Sequence, residues 1–256
     1  KIEAFDGQIL VPFAVESALS GVMKPVGPEN RLWYRRQFTF PADWQGQRIL
    51  LRFGAVDWDA TVWVNGHEIG SHRGGYDPFT FDITKALKPG QAQEIVVIVR
   101  DPVDQGTQPR GKQVLNPRGI WYTSVTGIWQ TVWLEPVPDA SIGRLHVVSD
   151  IDRAVAELTV ETSGAMPGDT IVARAKEGSK TVAQARGAVG APLRLEIGGA
   201  KLWSPADPFL YDLEVVLQRG DEVIDQVASY FGMRKISLGK DGAGTVRLML
   251  NNRFVF

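Results

Sequence analysis

The chain has 256 residues, 44% of them hydrophobic and 22% charged, with 28 Lys and Arg against 29 Asp and Glu. That is the composition of a globular protein long enough for two domains of about 100–150 residues. The even charge balance offers nothing to neutralise a phosphate backbone, so no nucleic acid is expected as a partner, and no apolar run approaches the ~20 residues of a membrane helix. Cysteine is absent, which excludes disulfides and thiolate metal sites but leaves the compartment open, with export ahead of the cytoplasm. The chain opens with Lys-Ile-Glu and nothing there resembles a signal peptide, so it reads as a fragment.

Strand periodicity runs through almost the whole sequence. Leu32, Tyr34, Phe38 and Phe40 share one face of a segment whose other face carries Arg35, Gln37 and Thr39, with Arg36 as the one breach. Ile49, Leu51 and Phe53 alternate with Leu50 and Arg52. In Thr61–Ile69, the pair Asn65-Gly66 between apolar runs supplies the two positive-φ positions of a type I′ hairpin. Asp82–Leu87 allows a turn or two of helix ahead of Pro89-Gly90. Glu94–Arg100 and Thr131–Leu134 are short apolar runs fit for buried strands. Between them, Asp101–Gly119 holds three Pro and three Gly and is the longest stretch without a period.

A boundary is expected at Glu135-Pro136-Val137-Pro138, because neither proline can donate to a strand ladder and the preceding strand should end there. Beyond it the strands are cleaner. Ala154, Ala156, Leu158 and Val160 alternate with Val155, Glu157, Thr159 and Glu161, Leu193, Leu195 and Ile197 with Arg194 and Glu196, and Tyr211, Leu213, Val215 and Leu217 with Asp212, Glu214 and Gln218. This spacing over about 100 residues fits an immunoglobulin-like sandwich. A last hairpin follows Arg234, with Thr245–Leu250, a turn at Asn251-Asn252-Arg253, and Phe254–Phe256. The fold class is all-β.

Taken in order, these segments resemble the N-terminal region of glycoside hydrolase family 2, which includes β-galactosidases, β-glucuronidases and β-mannosidases. Trp33-Tyr34-Arg35-Arg36-Gln37-Phe38, Val62–His67, Gly75-Tyr76-Asp77-Pro78-Phe79 and Gly127–Glu135 are similar to the family's sugar-binding-type jelly roll. Leu202-Trp203-Ser204-Pro205, Pro208-Phe209-Leu210-Tyr211 and Phe231-Gly232-Met233-Arg234 are similar to its immunoglobulin-like domain. The resemblance implies a galactose-binding-like jelly roll over 1–137, an immunoglobulin-like sandwich over 138–236, and a hairpin over 237–256 leading into a catalytic (β/α)8 barrel outside this sequence. The family hydrolyses glycosides with retention, using two Glu about 5 Å apart at the C-terminal ends of barrel strands. No Asn-Glu acid/base pair occurs here, so no catalytic residue is expected in the chain, and no cofactor.

In some family members an Asp of the loop corresponding to 101–119 contacts the sugar, and Asp101 and Asp104 are the matching positions. Their flanks depart from the β-galactosidase pattern. Arg110, Lys112 and Arg118 then become candidates for binding hydroxyls or an acidic substrate group. The plainer alternative is a loop that packs on the barrel or on a neighbouring subunit, the full-length protein being a candidate homo-oligomer. The expected partner is a β-glycoside, a galactoside first, with glucuronide and mannoside open. The rival reading is a self-standing carbohydrate-binding or adhesion module, and a third is a protein–protein scaffold.

The remaining marked residues carry ordinary readings. Trp63, Trp129 and Trp133 lie in alternating runs and are expected in the core, whereas Trp44 and Trp58 sit beside turns. His67 and His72 lack a third ligand for a metal. Asp57 and Asp59 admit a structural calcium but fit a solvated loop better. Gly74-Gly75 and Gly198-Gly199 are turn material, since neither opens a helix as a phosphate loop does.

Overall fold

Strands dominate the computed structural model, which describes residues 4–255, and its three short 3₁₀ turns are Ala18–Ser20, Ala42–Trp44 and Thr84–Ala86. The last of these falls within the helical turn expected over Asp82–Leu87. The chain divides into two compact units between Val137 and Pro138.

The first unit carries β1 (Leu32–Phe38), β2 (Arg48–Phe53), β3 (Val56–Asp57), β4 (Asp59–Val64), β5 (His67–Arg73) and β6 (Phe79–Asp82). It continues with β7 (Gln93–Arg100), β8 (Gln113–Val114), β9 (Tyr122–Thr123), β10 (Gly127–Ile128) and β11 (Val132–Val137). One antiparallel sheet has the order β1-β7-β4-β5 and a second β11-β2-β6, with β10-β3 as a short extra pair. Alternation explains the layering. Ile49, Leu51 and Phe53 of β2 and Ala60, Val62 and Val64 of β4 point into one shared core, while the residues between them face out. Each large apolar side chain buried this way stabilises by about 1.5–3 kcal/mol. Phe79 lies stacked between Phe53 (4.7 Å) and His72 (4.2 Å), so His72 serves as a core ring. Both Asn65 and Gly66 have positive φ, and the hairpin turns there. Asn65 also ties the turn to β7, donating to the Gln93 Oε1 and the Ala86 carbonyl and accepting from the Glu94 amide.

Three expectations need correction. Strand β11 does not stop at Pro136 but runs to Val137, with Pro136 opposite Ile49. It is an edge strand, where the missing N–H of proline faces away from the ladder. Trp133, expected in the core, is 43% exposed on the outer face of that strand, and Trp63 and Trp129 are half-buried. Ala154 is not a strand residue; it takes φ 55° in the turn before the next strand.

The second unit carries β12 (Ser141–Asp150), β13 (Val155–Ser163), β14 (Thr170–Glu177), β15 (Lys180–Ala188) and β16 (Leu193–Glu196). After them come β17 (Tyr211–Arg219), β18 (Glu222–Phe231), β19 (Ile236–Lys240), β20 (Val246–Leu250) and β21 (Arg253–Phe254). Sheets β12-β13-β16 and β15-β14-β17-β18 enclose a core of Ala156, Leu158, Ile171, Leu195, Tyr211, Leu213, Val215 and Leu217. Two facing sheets of this kind form an immunoglobulin-like sandwich. Tyr211 packs between Phe209 and Phe231, and its hydroxyl accepts the Lys201 amide at 2.8 Å. A third sheet, β19-β20-β21, closes on the positive-φ pair Asn251-Asn252. Phe256, the last residue of the expected hairpin, lies outside the described residues.

Candidate functional site

The long loop between β7 and β10 is anchored by a buried polar cluster at its two roots. Thr126 is fully buried. Its amide donates to Glu16 Oε2 at 2.9 Å, and its hydroxyl donates to Asp101 Oδ2 at 3.0 Å. Ser124 donates its hydroxyl to the other Glu16 oxygen at 3.2 Å. Asp101 Oδ1 in turn accepts the Val103 amide at 2.7 Å, which fixes Val103 at φ 53°, a conformation that β-branched residues avoid. The start and the end of the loop are therefore bound to one another and to the segment around Glu16.

Further out, the loop holds itself together. Asp104 accepts the Leu115 amide on Oδ2, and its carbonyl accepts Arg110 Nη1 at 2.7 Å. The Gln108 side-chain amide donates to the Val103 carbonyl. Strands β8 and β9 pair in parallel, and the Tyr122 amide donates to the Lys112 carbonyl at 2.9 Å. A turn is closed by the Trp121 amide on the Arg118 carbonyl at 3.1 Å.

Asp57 lies beside this cluster, on β3 next to β10. Its carboxylate abuts Gly75 so closely that a Cβ there would come within 2.7 Å of Oδ1. Gly75 in turn accepts the Trp129 indole N–H on its carbonyl at 2.7 Å. Burial first, and then the negative charges of Asp101 and Glu16, push the Asp57 carboxyl up to about 7. Burial also raises Glu16 and Asp101, against the opposing hydrogen bonds from Thr126 and from Ser124 or Val103. Tyr34 is pushed well above the usual phenol range by burial, and its oxygen accepts the Ile128 amide at 3.1 Å.

A hollow lined by Asp57, Asp101, Val103, Gln108, Pro109, Arg110, Gln113 and Val125 has a volume of about 10 Å³. That space admits roughly one water-sized group, so no sugar ring fits within it. On its outer side the loop exposes Ile120 (68%), Trp121 (41%) and Tyr122 (61%), and Lys112 and Arg118 are exposed as well.

The five residues singled out in the sequence thus separate. Asp101 is buried and its two oxygens are both engaged; Asp104 and Arg110 brace the inside of the loop; Lys112 and Arg118 are exposed on the surface. Sequence reading missed Glu16 and Thr126 altogether. Asp57 was considered only beside Asp59, but Asp59 pairs with Arg73 at 2.9 Å. Among the described residues, no group of three or more His, Cys, Asp or Glu is placed to hold a metal ion, and no helix is long and apolar enough to cross a membrane.

Two family models account for most of the chain. One described as "Glycosyl hydrolases family 2, sugar binding domain" matches residues 11–138, and one described as "Glycosyl hydrolases family 2" matches residues 129–234. The chain belongs to glycosyl hydrolase family 2. It is 26% identical over 267 residues to a β-glucuronidase of Paenibacillus borealis, covering 97% of this chain and 44% of that protein. A β-galactosidase of Thermoanaerobacter pseudethanolicus is 27% identical, with 82% and 29% covered. Among solved structures, the β-glucuronidase from Ruminococcus gnavus in complex with uronic isofagomine superposes with a TM-score of 0.76 at 26% identity, covering 96% of this chain and 41% of that one. The same enzyme in complex with D-glucuronic acid gives 0.75. This family 2 chain spans less than half the length of these relatives and corresponds to their N-terminal domains. The relatives bear both the galactosidase and the glucuronidase name, so family membership does not choose between the two sugars.

Proposed function

We propose that this chain is the non-catalytic N-terminal part of a retaining β-glycosidase, and that its 101–126 loop forms part of the wall of the substrate cleft. The observation that carries the reading is the buried clasp of Glu16, Asp101, Ser124 and Thr126, which holds a long irregular loop in one conformation. Long loops of compact domains that are held in this way are where binding residues concentrate. The jelly roll over 1–137 carries it, the sandwich over 138–236 follows in the chain, and the 237–256 segment leads toward the barrel that carries the acid/base and nucleophile Glu. Bond cleavage is the work of that barrel. Asp101 and Asp104 act on selectivity by shaping the loop, and Arg110 acts with them. Of the candidate residues, the exposed Lys112 and Arg118 are the ones that reach substrate.

The sugar is a β-glycoside. The galactoside suggested by the sequence gives way here to a β-glucuronide as the first substrate to test, because the loop offers cations and several relatives carry the glucuronidase name. The protein extended through its barrel, assayed on nitrophenyl β-D-glucuronide, β-D-galactoside and β-D-mannoside, decides among them. The reading expects turnover of at least one of the three, and silence on all of them removes it. The self-standing binding module remains the second reading, favoured by the exposed Trp121 and Tyr122.

A further inference from the structure

The small sheet β19-β20-β21 is clamped at its root to the immunoglobulin-like sandwich. Asn251 and Lys235 exchange two hydrogen bonds, the Lys235 amide donating to Asn251 Oδ1 at 3.0 Å and the Asn251 amide to the Lys235 carbonyl at 2.8 Å. The Asn251 side-chain amide donates to the Trp203 carbonyl at 2.9 Å. Asn252 donates to Asp152 Oδ1 at 2.7 Å, and Lys235 pairs with the other oxygen of the same carboxylate. These bonds fix the direction in which the hairpin leaves the sandwich.

The two faces of the hairpin differ. One carries Gly239, Arg247, Met249 and Phe254 and is filled from within. Met249 is buried against Gly239, while Arg247 pairs with Asp241 at 3.0 Å and lies 5.2 Å over the Phe254 ring. On the other face Leu238 stands directly opposite Leu248, with Ile236 and Val246 beside them. Ile236 (66%), Leu238 (73%), Val246 (60%) and Leu248 (68%) are exposed, and none of them belongs to either hydrophobic core. Charges stand only at the two ends of this face, Lys240 and Arg253. Single exposed apolar side chains are ordinary, but four side by side on one sheet face mark a contact surface.

The occupant follows from the chain itself. Its relatives have more than half of their length outside the N-terminal domains matched here. Strand β21 ends at Phe254, so a segment following Phe256 is tethered beside the open face at high effective concentration. A second copy would instead have to surrender its translational and rotational freedom to reach the same place.

We infer that the face of Ile236, Leu238, Val246 and Leu248 is the docking surface for the polypeptide that follows Phe256, which meets it with an apolar surface of its own. The inference rests on the reading that a barrel follows, and extends it by naming the contact. The clamp of Lys235, Asn251 and Asn252 presents this face in a preset direction.

The test is hydroxyl-radical footprinting at Leu238 and Leu248, read by mass spectrometry, on the unmodified 256-residue chain and on the unmodified protein extended through its barrel. Modification should fall by about fivefold or more in the longer protein, as expected when apolar side chains pass from open to fully buried. Leu238→Glu/Leu248→Glu should leave the thermal midpoint of the 256-residue chain within about 2 °C and lower that of the longer protein by about 5 °C or more. Equal modification in the two proteins overturns the inference, and so does a longer protein indifferent to the double substitution. Protection already present in the 256-residue chain and growing with its concentration also overturns it, assigning the face to a second copy. Hydrolysis by the longer protein is read separately. Turnover without protection removes this docking surface alone, and protection without turnover removes the enzyme reading alone.

Discussion

Thr126 and Asp101, 25 residues apart in sequence, meet in a buried hydrogen bond of 3.0 Å that joins the two roots of the long loop between β7 and β10. The same threonine hands its amide to Glu16, 110 residues away. One residue thus gathers two buried carboxylates and sets where the loop leaves and re-enters the sandwich.

Thr126→Val keeps the shape and removes the hydroxyl, leaving the Asp101 oxygen without its donor. The expected cost is about 1–3 kcal/mol in urea unfolding, the range for a buried polar group stripped of its partner. Limited proteolysis should cut faster between Pro102 and Trp121. Thr126→Ser restores the donor and should recover most of the loss.

Asp57 gives the first unit an unusual pH response. Its carboxyl titrates at about 7 when folded, above the value near 3.9 of an unfolded Asp, so the folded state binds the proton more tightly. The stability from this group is fully present below pH ~3.9 and is lost as pH rises toward 7. Asp57→Asn should therefore raise the thermal midpoint at pH 8 and not at pH 4. Allowing for the partly solvated side chain, the gain is on the order of 1–2 kcal/mol. Equal effects at both pH values would contradict the assignment.

The second unit should lean the other way. Asp169 accepts a two-pronged bond from Arg219 and a third from the Met166 amide, and these hold its carboxyl below the usual range. Lys176 and Arg174 do the same for Glu214. Stability from these depressed groups is present above the unfolded pKa and is lost as pH falls through the folded values. Lowering the pH from neutral should thus weaken the second unit while relieving Asp57 in the first. Calorimetry of the chain at pH 7 and pH 4 should show the order or spacing of the two unfolding steps change. A single transition moving uniformly with pH would count against it.

Gly127 takes φ 89°, and a Cβ there collides with the Tyr34 hydroxyl. Gly127→Ala is expected to cost about 2–5 kcal/mol, combining left-handed backbone strain with overpacking. Tyr34→Phe removes the colliding oxygen, though it also strips the Ile128 amide of its acceptor. The double variant should be more stable than the sum of the two single changes predicts, a coupling that a double-mutant cycle measures directly.

Much of the architecture was legible wherever burial is one-sided. Strands β2 and β16 alternate because one face meets the core and the other faces away from it, and Asn65-Gly66 marks its hairpin because few other residues take both positive φ values. Pro136 misled because proline stops a central strand but not an edge strand, and sequence does not say which strand lies at the edge. Trp133 misled for the same reason, since an outer-face Trp has the same period as an inner one. Strand β19 was not singled out; its apolar positions Ile236 and Leu238 are exposed and separated by Ser237. The clasp was the least legible feature. Its partners lie 25, 108 and 110 residues apart, and an isolated Glu16 between Val15 and Ser17 carries no local sign of burial. The loop it secures was visible as a Pro- and Gly-rich stretch without a period, but the inward turn of Asp101, Asp104 and Arg110 was not.

The most direct measurement compares hydrolysis of a nitrophenyl β-D-glucuronide, β-D-galactoside and β-D-mannoside by residues 1–256 alone and by the protein extended through its barrel. The account predicts turnover by the longer protein and none by the 256-residue chain. Turnover by the chain alone, or an inactive longer protein, would contradict it.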